Sequence, residues 1–180
     1  MTSASDSLPQ VRLRAVEPED CDMMLEVEND SSQWESSETL APLSRHQLLE
    51  YALGYDADPF AAGQIRLVVT LPDGTPVGLA DLYEISRRHR RAFAAIYILP
   101  AMRRRRLALA ALDALAHYAF ETLGLHQIAA RILKKNTSSA SLFEKAGYTF
   151  CGYLDEWHFY GNRPLSVGLW QLIPSRTGCQ

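Results

Sequence analysis

Residues 64–124 carry the pattern that most restricts the fold. Three β-rich runs, QIRLVVTL, VGLADLYEI and AFAAIYIL, follow one another on short connections, Pro72-Asp73-Gly74-Thr75 and SRRHRR. Turn residues between β-rich runs predict a hairpin that the third run extends. Directly after comes LALAALDALAHYAFETLG, whose apolar residues recur at helical spacing, with Gly124 where a C-terminal cap belongs. Consecutive strands followed by one long amphipathic helix point to a mixed α/β layer architecture.

The flanking segments extend the pattern. QVRLRAV (10–16) alternates as a strand, and Glu17-Pro18-Glu19-Asp20 opens a helix running to about Glu28, with Pro at the first helical position and acids at the positive end of the dipole. Ser44 and Gln47 form a capping box for RHQLLEYAL, which stops at Gly54. HQIAARIL is a strand, Asn136 caps TSSASLFEKAG, and YTFCGYL and LSVGLWQL are two further strands. The expected order is β-α-α-β-β-β-α-β-α-β-β, an α/β fold in one domain over residues 10–173, with 1–9 and 174–180 as disordered tails.

The 180 residues, 47% hydrophobic, suffice for one well-buried core. No run approaches the ~18 apolar residues of a membrane span, so no membrane partner is expected. MTSASDSLPQ lacks the basic start and apolar stretch of a secretory signal. Cys21, Cys151 and Cys179 are odd in number and widely spaced, and His89, His117, His126 and His158 are scattered. Neither set has metal-ligand spacing, so no metal is expected and a reduced, cytoplasmic protein is.

The net charge of −3 hides an asymmetry. Residues 1–60 hold 13 acidic side chains against three arginines, and the rest of the chain is correspondingly basic. Such a split attracts a cation at one place and an anion at another, or marks two solvated faces. Arg103-Arg104-Arg105-Arg106 stands before the long helix. Positive charge at that end is unfavourable for the helix alone and becomes useful where an anion docks.

The order of elements and four stretches, LRAVEPED, PVGLADLYEISRRHRRA, the arginine run and NTSSASLFEKAGY, resemble the GCN5-related N-acetyltransferases (GNAT). The similarity spans roughly residues 11–172, and the spermidine/diamine and ribosomal-protein-alanine acetyltransferases are the nearest subgroups. The resemblance implies acetyl-CoA as co-substrate, with coenzyme contacts at Ile96, Tyr97, Ile98, Arg103, Arg104, Arg105, Arg106, Leu107, Ala108, Asn136, Ser139 and Phe143. The strand around Tyr97 would pair its backbone with the pantetheine arm. The helix N-terminus would hold the pyrophosphate. There the family uses Arg/Gln-x-x-Gly-x-Gly/Ala, so Arg106 replaces a glycine and Arg104 a second, frequent one. Glycine allows close approach and positive φ. Arginine brings bidentate phosphate pairing instead.

Acetyl transfer needs a neutral amine, a group that removes its proton and a donor for the developing oxyanion. The resemblance makes Glu84 the amine-binding carboxylate or water-mediated base. A plain ion pair capping SRRHRR is the alternative. It places the acceptor against the loop NDSSQWESSE, with Trp34 beside a cation and Glu35 and Glu38 as counter-charges. Trp34 reads equally as an anchor beneath the loop. Phe143 stands where polyamine acetyltransferases have a proton-donating Tyr, and Phe93 where relatives often have Glu. Tyr153, Trp157 and Tyr160 read as packing.

The expected function is acetyl transfer to a primary amine, with a polyamine or other small cationic amine favoured by the acidic N-terminal third. A protein N-terminal amine is the second acceptor class, and a catalytically weakened acyl-CoA-binding protein is a further reading. Eight arginines at 87, 88, 90, 91 and 103–106 raise nucleic acid, which an acidic chain without a binding module argues against. A homo-oligomer is left open.

Overall fold

A computed structural model describes residues 7–37, 40–54 and 58–174. Glu38, and the tail segments 1–6 and 175–180, lie outside the described residues. The elements run β1 (Arg12–Ala15), a 3-10 turn (Pro18–Asp20), α1 (Cys21–Glu28), α2 (Arg45–Leu53), α3 (Pro59–Ala62), β2 (Gln64–Thr70), β3 (Pro76–Ser86), β4 (Arg91–Ile98), α4 (Leu107–His117), β5 (Gln127–Leu133), α5 (Thr137–Lys145), β6 (Thr149–Tyr160) and β7 (Arg163–Leu172).

The seven strands form one sheet in the order β1-β2-β3-β4-β5-β7-β6. Every neighbouring pair is antiparallel except β4 and β5. The expected meander is there, with Ile65 opposite Leu82 and Leu82 opposite Ala94. At its far end Gly78 faces Ile98, and a Cβ on Gly78 would stand 2.1 Å from the Tyr97 carbonyl oxygen. Only glycine lets β3 and β4 close there.

Both faces of the sheet are covered. Ile65, Leu67, Leu82, Ala92, Ala94 and Ile128 pack with Leu112, Leu115 and Phe143 of α4 and α5. Val68 and Leu79 pack with Met24, Val27, Leu48 and Ala52 of α1 and α2. The β1–α1 junction is tied by Arg14, which holds buried Asp20 at 2.6 and 2.8 Å, while the Glu17 N–H donates to the same carboxylate. Burial alone would push the Asp20 carboxyl up. The Arg14 guanidinium and the Glu17 N–H outweigh it and hold the carboxyl below the usual range.

Three elements depart from expectation. α3 is additional: Asp58 caps it by accepting from the Phe60 N–H, and Gly63 ends it at φ 70°. Its four residues are too few to show helical periodicity. α4 gives way after His117 to a π turn over Tyr118–Thr122, closed by the Leu123 N–H on the Tyr118 carbonyl, before Gly124 takes the left-handed cap. β6 continues to Tyr160 because irregularities between Phe150 and Gly152 and between Leu154 and His158 interrupt its alternation without ending it. Among the described residues no helix is long and apolar enough to cross a membrane.

Candidate active site

The site begins where the sheet comes apart. β4 and β5 pair only at Arg91–Gln127, Ala92–Ile128 and Phe93–Ala129. Beyond that point β4 stays with β3 as far as Ile98, while β5 stays with β7 as far as Leu133. The two strands diverge, and a cavity of about 820 Å³ fills the gap. Ala94, Ala95 and Ile96 form one lip, and Arg131, Ile132 and Leu133 the other. That is room for a ligand of ordinary small-molecule size, and the freed edge of β4 offers it backbone hydrogen bonds.

Four residues of the expected coenzyme set reach the wall: Ile96, Asn136, Ser139 and Phe143. Asn136 also caps α5, its side-chain oxygen accepting from the Ser139 N–H at 3.0 Å. Phe143 is buried and meets Tyr148 edge-on, with ring centroids 4.9 Å apart. Tyr97, Ile98, Arg103, Arg104, Arg105, Arg106, Leu107 and Ala108 lie outside the cavity wall, at the end of β4 and the head of α4.

That head has a specific shape. Arg104 sits at φ 61° and Arg106 at φ 60°, ψ 9°, both left-handed. A side chain there costs about 1–2 kcal/mol per residue relative to ordinary helical backbone. The chain thus adopts the backbone form that glycine favours and carries guanidinium groups on it. Arg106 is the N-cap residue of α4, and arginine offers no acceptor for the helix's leading N–H groups. Arg103 turns back onto the sheet. Its Nε donates to the Ile98 carbonyl at 3.0 Å, and its guanidinium lies 5.4 Å from the Tyr97 ring centre.

The opposite side of the cavity holds a charged network that sequence reading missed. Arg66 of β2 faces Asp81 of β3 across the ladder. It binds Asp81 through two bonds of 2.8 and 2.9 Å, and reaches Glu28 at the end of α1 at 2.5 Å. All three residues line the cavity. Burial works against the charge on Arg66, but Asp81 and Glu28 outweigh it and hold the guanidinium firmly protonated. Two carboxylates share one cation, leaving one excess negative charge. The signal was present: Arg66 is the single charge of β2, and Asp81 stands between apolar neighbours in β3.

Glu84 does not reach the cavity wall. It lies in an irregular stretch of β3, at φ 49°. Both its oxygens accept from Arg131 of β5, at 2.7 and 2.8 Å. The ion-pair alternative therefore has a different partner from the one expected: β5 rather than the SRRHRR loop. Arg131 is on the wall, with its guanidinium 3.9 Å from the centre of the Phe93 ring.

The loop after α1 crosses to the β5 side. Trp34 anchors it, its indole N–H donating to the Glu28 carbonyl at 2.9 Å. Glu35 accepts from Lys135, beyond β5, and from Arg163 at the start of β7 at 3.0 Å. Lys135, and then Arg163, hold the Glu35 carboxyl below the usual carboxylate range. Neither Trp34 nor Glu35 lines the cavity, whereas Gln33, Ser36 and Ser37 of the same loop do. Trp157 and His158 of β6 also line it, so Trp157 does more than pack. Among the described residues no group of three or more His, Cys, Asp or Glu side chains is arranged to hold a metal.

The family model for the acetyltransferase (GNAT) domain matches residues 10–149. The spermidine N(1)-acetyltransferase of Escherichia coli K12 is 30% identical over 153 residues, covering 82% of this chain and 77% of that protein. The Vibrio cholerae spermidine N(1)-acetyltransferase is 29% identical over 111 residues, covering 62% and 64%. A crystal structure of spermidine N-acetyltransferase from Vibrio cholerae in complex with CoA and spermine superposes with a TM-score of 0.82 at 26% identity, covering 92% of this chain and 96% of that one. The family model spans well over half of the chain and the Escherichia coli relative most of it, and the chain belongs to the GNAT acetyltransferase family.

Proposed function

We propose that this acetyltransferase moves the acetyl group of acetyl-CoA to a primary amine of a polyamine or a similar small cation. The observation that carries the choice of acceptor is the pair of carboxylates, Glu28 and Asp81, sharing one arginine on the cavity wall. The Glu28–Arg66–Asp81 cluster carries one net negative charge, which favours a protonated amine beside it. The spermidine acetyltransferases among the relatives support the same reading.

The residues fit the coenzyme. Its acetyl thioester supplies the group transferred. The unpaired edge of β4 from Ala94 to Ile98 would hold the pantetheine arm by main-chain hydrogen bonds. The left-handed turn at Arg104 and Arg106, with the leading N–H groups of α4, would take the pyrophosphate, and the guanidiniums would add charge-assisted bonds. An alkylammonium with a pKa near ~10.4 must shed its proton before attack. In this proposal Glu28 and Asp81 hold the amine while the proton leaves through water in the cavity. Glu84 acts through Arg131, fixing that guanidinium against Phe93. Phe143 carries no proton to give, so the side chain at that position would not protonate the departing sulfur.

The test combines melting and turnover. Acetyl-CoA at ~100 times its dissociation constant should stabilise the chain by about 2.7 kcal/mol, and spermidine should then release free thiol. A shift without thiol release from any amine would leave a coenzyme-binding protein that does not turn over. No shift at all would remove the coenzyme assignment.

A further inference from the structure

The arginines fall into two sites at opposite ends of β4. Arg103, Arg104, Arg105 and Arg106 lead into α4, whereas Arg87, Arg88, Arg90 and Arg91 crown the turn between β3 and β4. None of this second set lines the cavity. All four are exposed, as are His89 among them and His126 on the adjoining loop. The turn is held in place. Arg90 takes a left-handed φ of 48°, and its carbonyl accepts from the His126 and Gln127 N–H groups at 2.6 and 3.2 Å. Its Nε donates to the Gly124 carbonyl at 2.9 Å, and the His89 N–H donates to Ser86 Oγ at 3.3 Å. Like charges gathered on a fixed turn repel one another, and carboxylates offset little of that here. Arg87 has Asp58 at 3.9 Å, while Glu84 is taken by Arg131. Among the described residues Arg88 and Arg91 have no carboxylate partner. Arg91 shares a face of β4 with Phe93, whose ring carries the Arg131 guanidinium, so the positive surface runs from the turn to the lip of the cavity.

We propose that this turn binds the phosphate backbone of a nucleic acid strand, and so holds the acetyltransferase where its cationic acceptor is concentrated. Guanidinium forks match phosphate oxygens two at a time, and arginine keeps its charge at every working pH. A strand carries one negative charge per ~3.4 Å, a density that suits four arginines within five residues. A flexible strand can bring several phosphates to one rigid turn, whereas a folded acidic protein presents carboxylates at fixed positions. Recognition rests on charge and does not read bases: the Phe60 ring beside the turn is covered by the Arg87 guanidinium, 4.1 Å from its centre, and that face is closed to stacking. The chain-wide charge of −3 does not describe this surface, because carboxylates beyond a Debye length of about 10 Å at 0.1 M salt are screened. Polycations gather in the counterion layer of a polyanion, so a polyamine is most abundant along the strand that the turn would hold.

The delivery of acceptor rests on the polyamine reading; the docking does not. The test separates them. Fluorescence anisotropy of a single-stranded oligonucleotide of about twelve nucleotides with the full chain should give a Kd of ~10⁻⁵ M at physiological salt. About three phosphate contacts should give a slope of about −2 in log K against log salt. Saturating acetyl-CoA should leave that affinity unchanged. Arg88→Gln/Arg91→Gln should weaken binding about tenfold and flatten the slope to roughly −0.7, with turnover of free spermidine unchanged. Arg104→Gln/Arg105→Gln should bind the oligonucleotide as the wild type does. With spermidine supplied on excess oligonucleotide, the wild type should turn over several-fold faster than Arg88→Gln/Arg91→Gln. Absence of salt-dependent binding, displacement by acetyl-CoA, or loss only in the helix-head variant overturns the docking. Equal affinity for polyglutamate or for phosphatidylglycerol vesicles overturns the nucleic acid assignment. Equal turnover of wild type and variant on the loaded oligonucleotide overturns delivery alone, and so does failure to acetylate any amine, with the docking result still standing. If Arg88→Gln/Arg91→Gln fails to fold, the salt slope of the wild type and its indifference to acetyl-CoA decide the matter.

Discussion

The two ends of the cleft are built by opposite means. The proposed pyrophosphate end comes from one short stretch, residues 103–108, in which local backbone geometry does the positioning. The proposed acceptor end is gathered from α1, β2, β3, β5 and β6, and its charges are placed by one another: Glu28 and Asp81 by Arg66, Glu84 by Arg131. A turn can replace its side chains and keep its shape. A network of paired charges fails when one member is removed. The first end should therefore tolerate substitution, and the second should not.

Arg66→Met should have the largest effect. It strands two mostly buried carboxylates and should cost about 3 kcal/mol, or roughly 6–12 °C in Tm for a chain of this size. Denaturant titration measures it, and a loss below about 1 kcal/mol would dissolve the contrast. Arg106→Gly should do the reverse at the other end. It relieves left-handed strain while loosening the unfolded chain, for a net gain of about 1 kcal/mol without ligand. It should also weaken coenzyme binding about fivefold, the loss of roughly 1 kcal/mol from one exposed guanidinium. Tighter binding would mean that the side chain obstructs the pyrophosphate. The Glu35 tie should show the smallest effect. Its folded carboxyl is depressed, so the contact is fully present above the unfolded carboxylate value near ~4.3 and is lost as pH falls through the folded one. Intrinsic-rate-corrected hydrogen exchange of residues 31–37 should quicken in that window, and Glu35→Gln should exchange quickly at neutral pH as well.

The same contrast governs what could be read from the sequence. The meander, the helix caps at Ser44 and Asn136 and the left-handed Gly124 follow from neighbours a few residues apart, and all are present. The arginines at two glycine positions were visible, but their φ was not, because the local sequence argues against that backbone and the turn imposes it. Arg66 and Asp81 were overlooked because a charge inside a strand becomes meaningful only once the ladder register sets the pair face to face. Glu35 lies 100 residues from Lys135 and 128 from Arg163, beyond any periodicity. Trp157 was read as packing because an aromatic in a strand does not reveal which side lacks a neighbour.

The short junction between β4 and β5 gives the molecule a spine sewn at one end. Three residue pairs join the leaf β1–β4 to the leaf β5–β7, whereas six join β5 to β7 within the second leaf. A molecule lying along the open margin of β4 would act as extra stitching between the leaves. Saturating coenzyme should therefore slow amide exchange in both leaves together, well beyond the residues it touches.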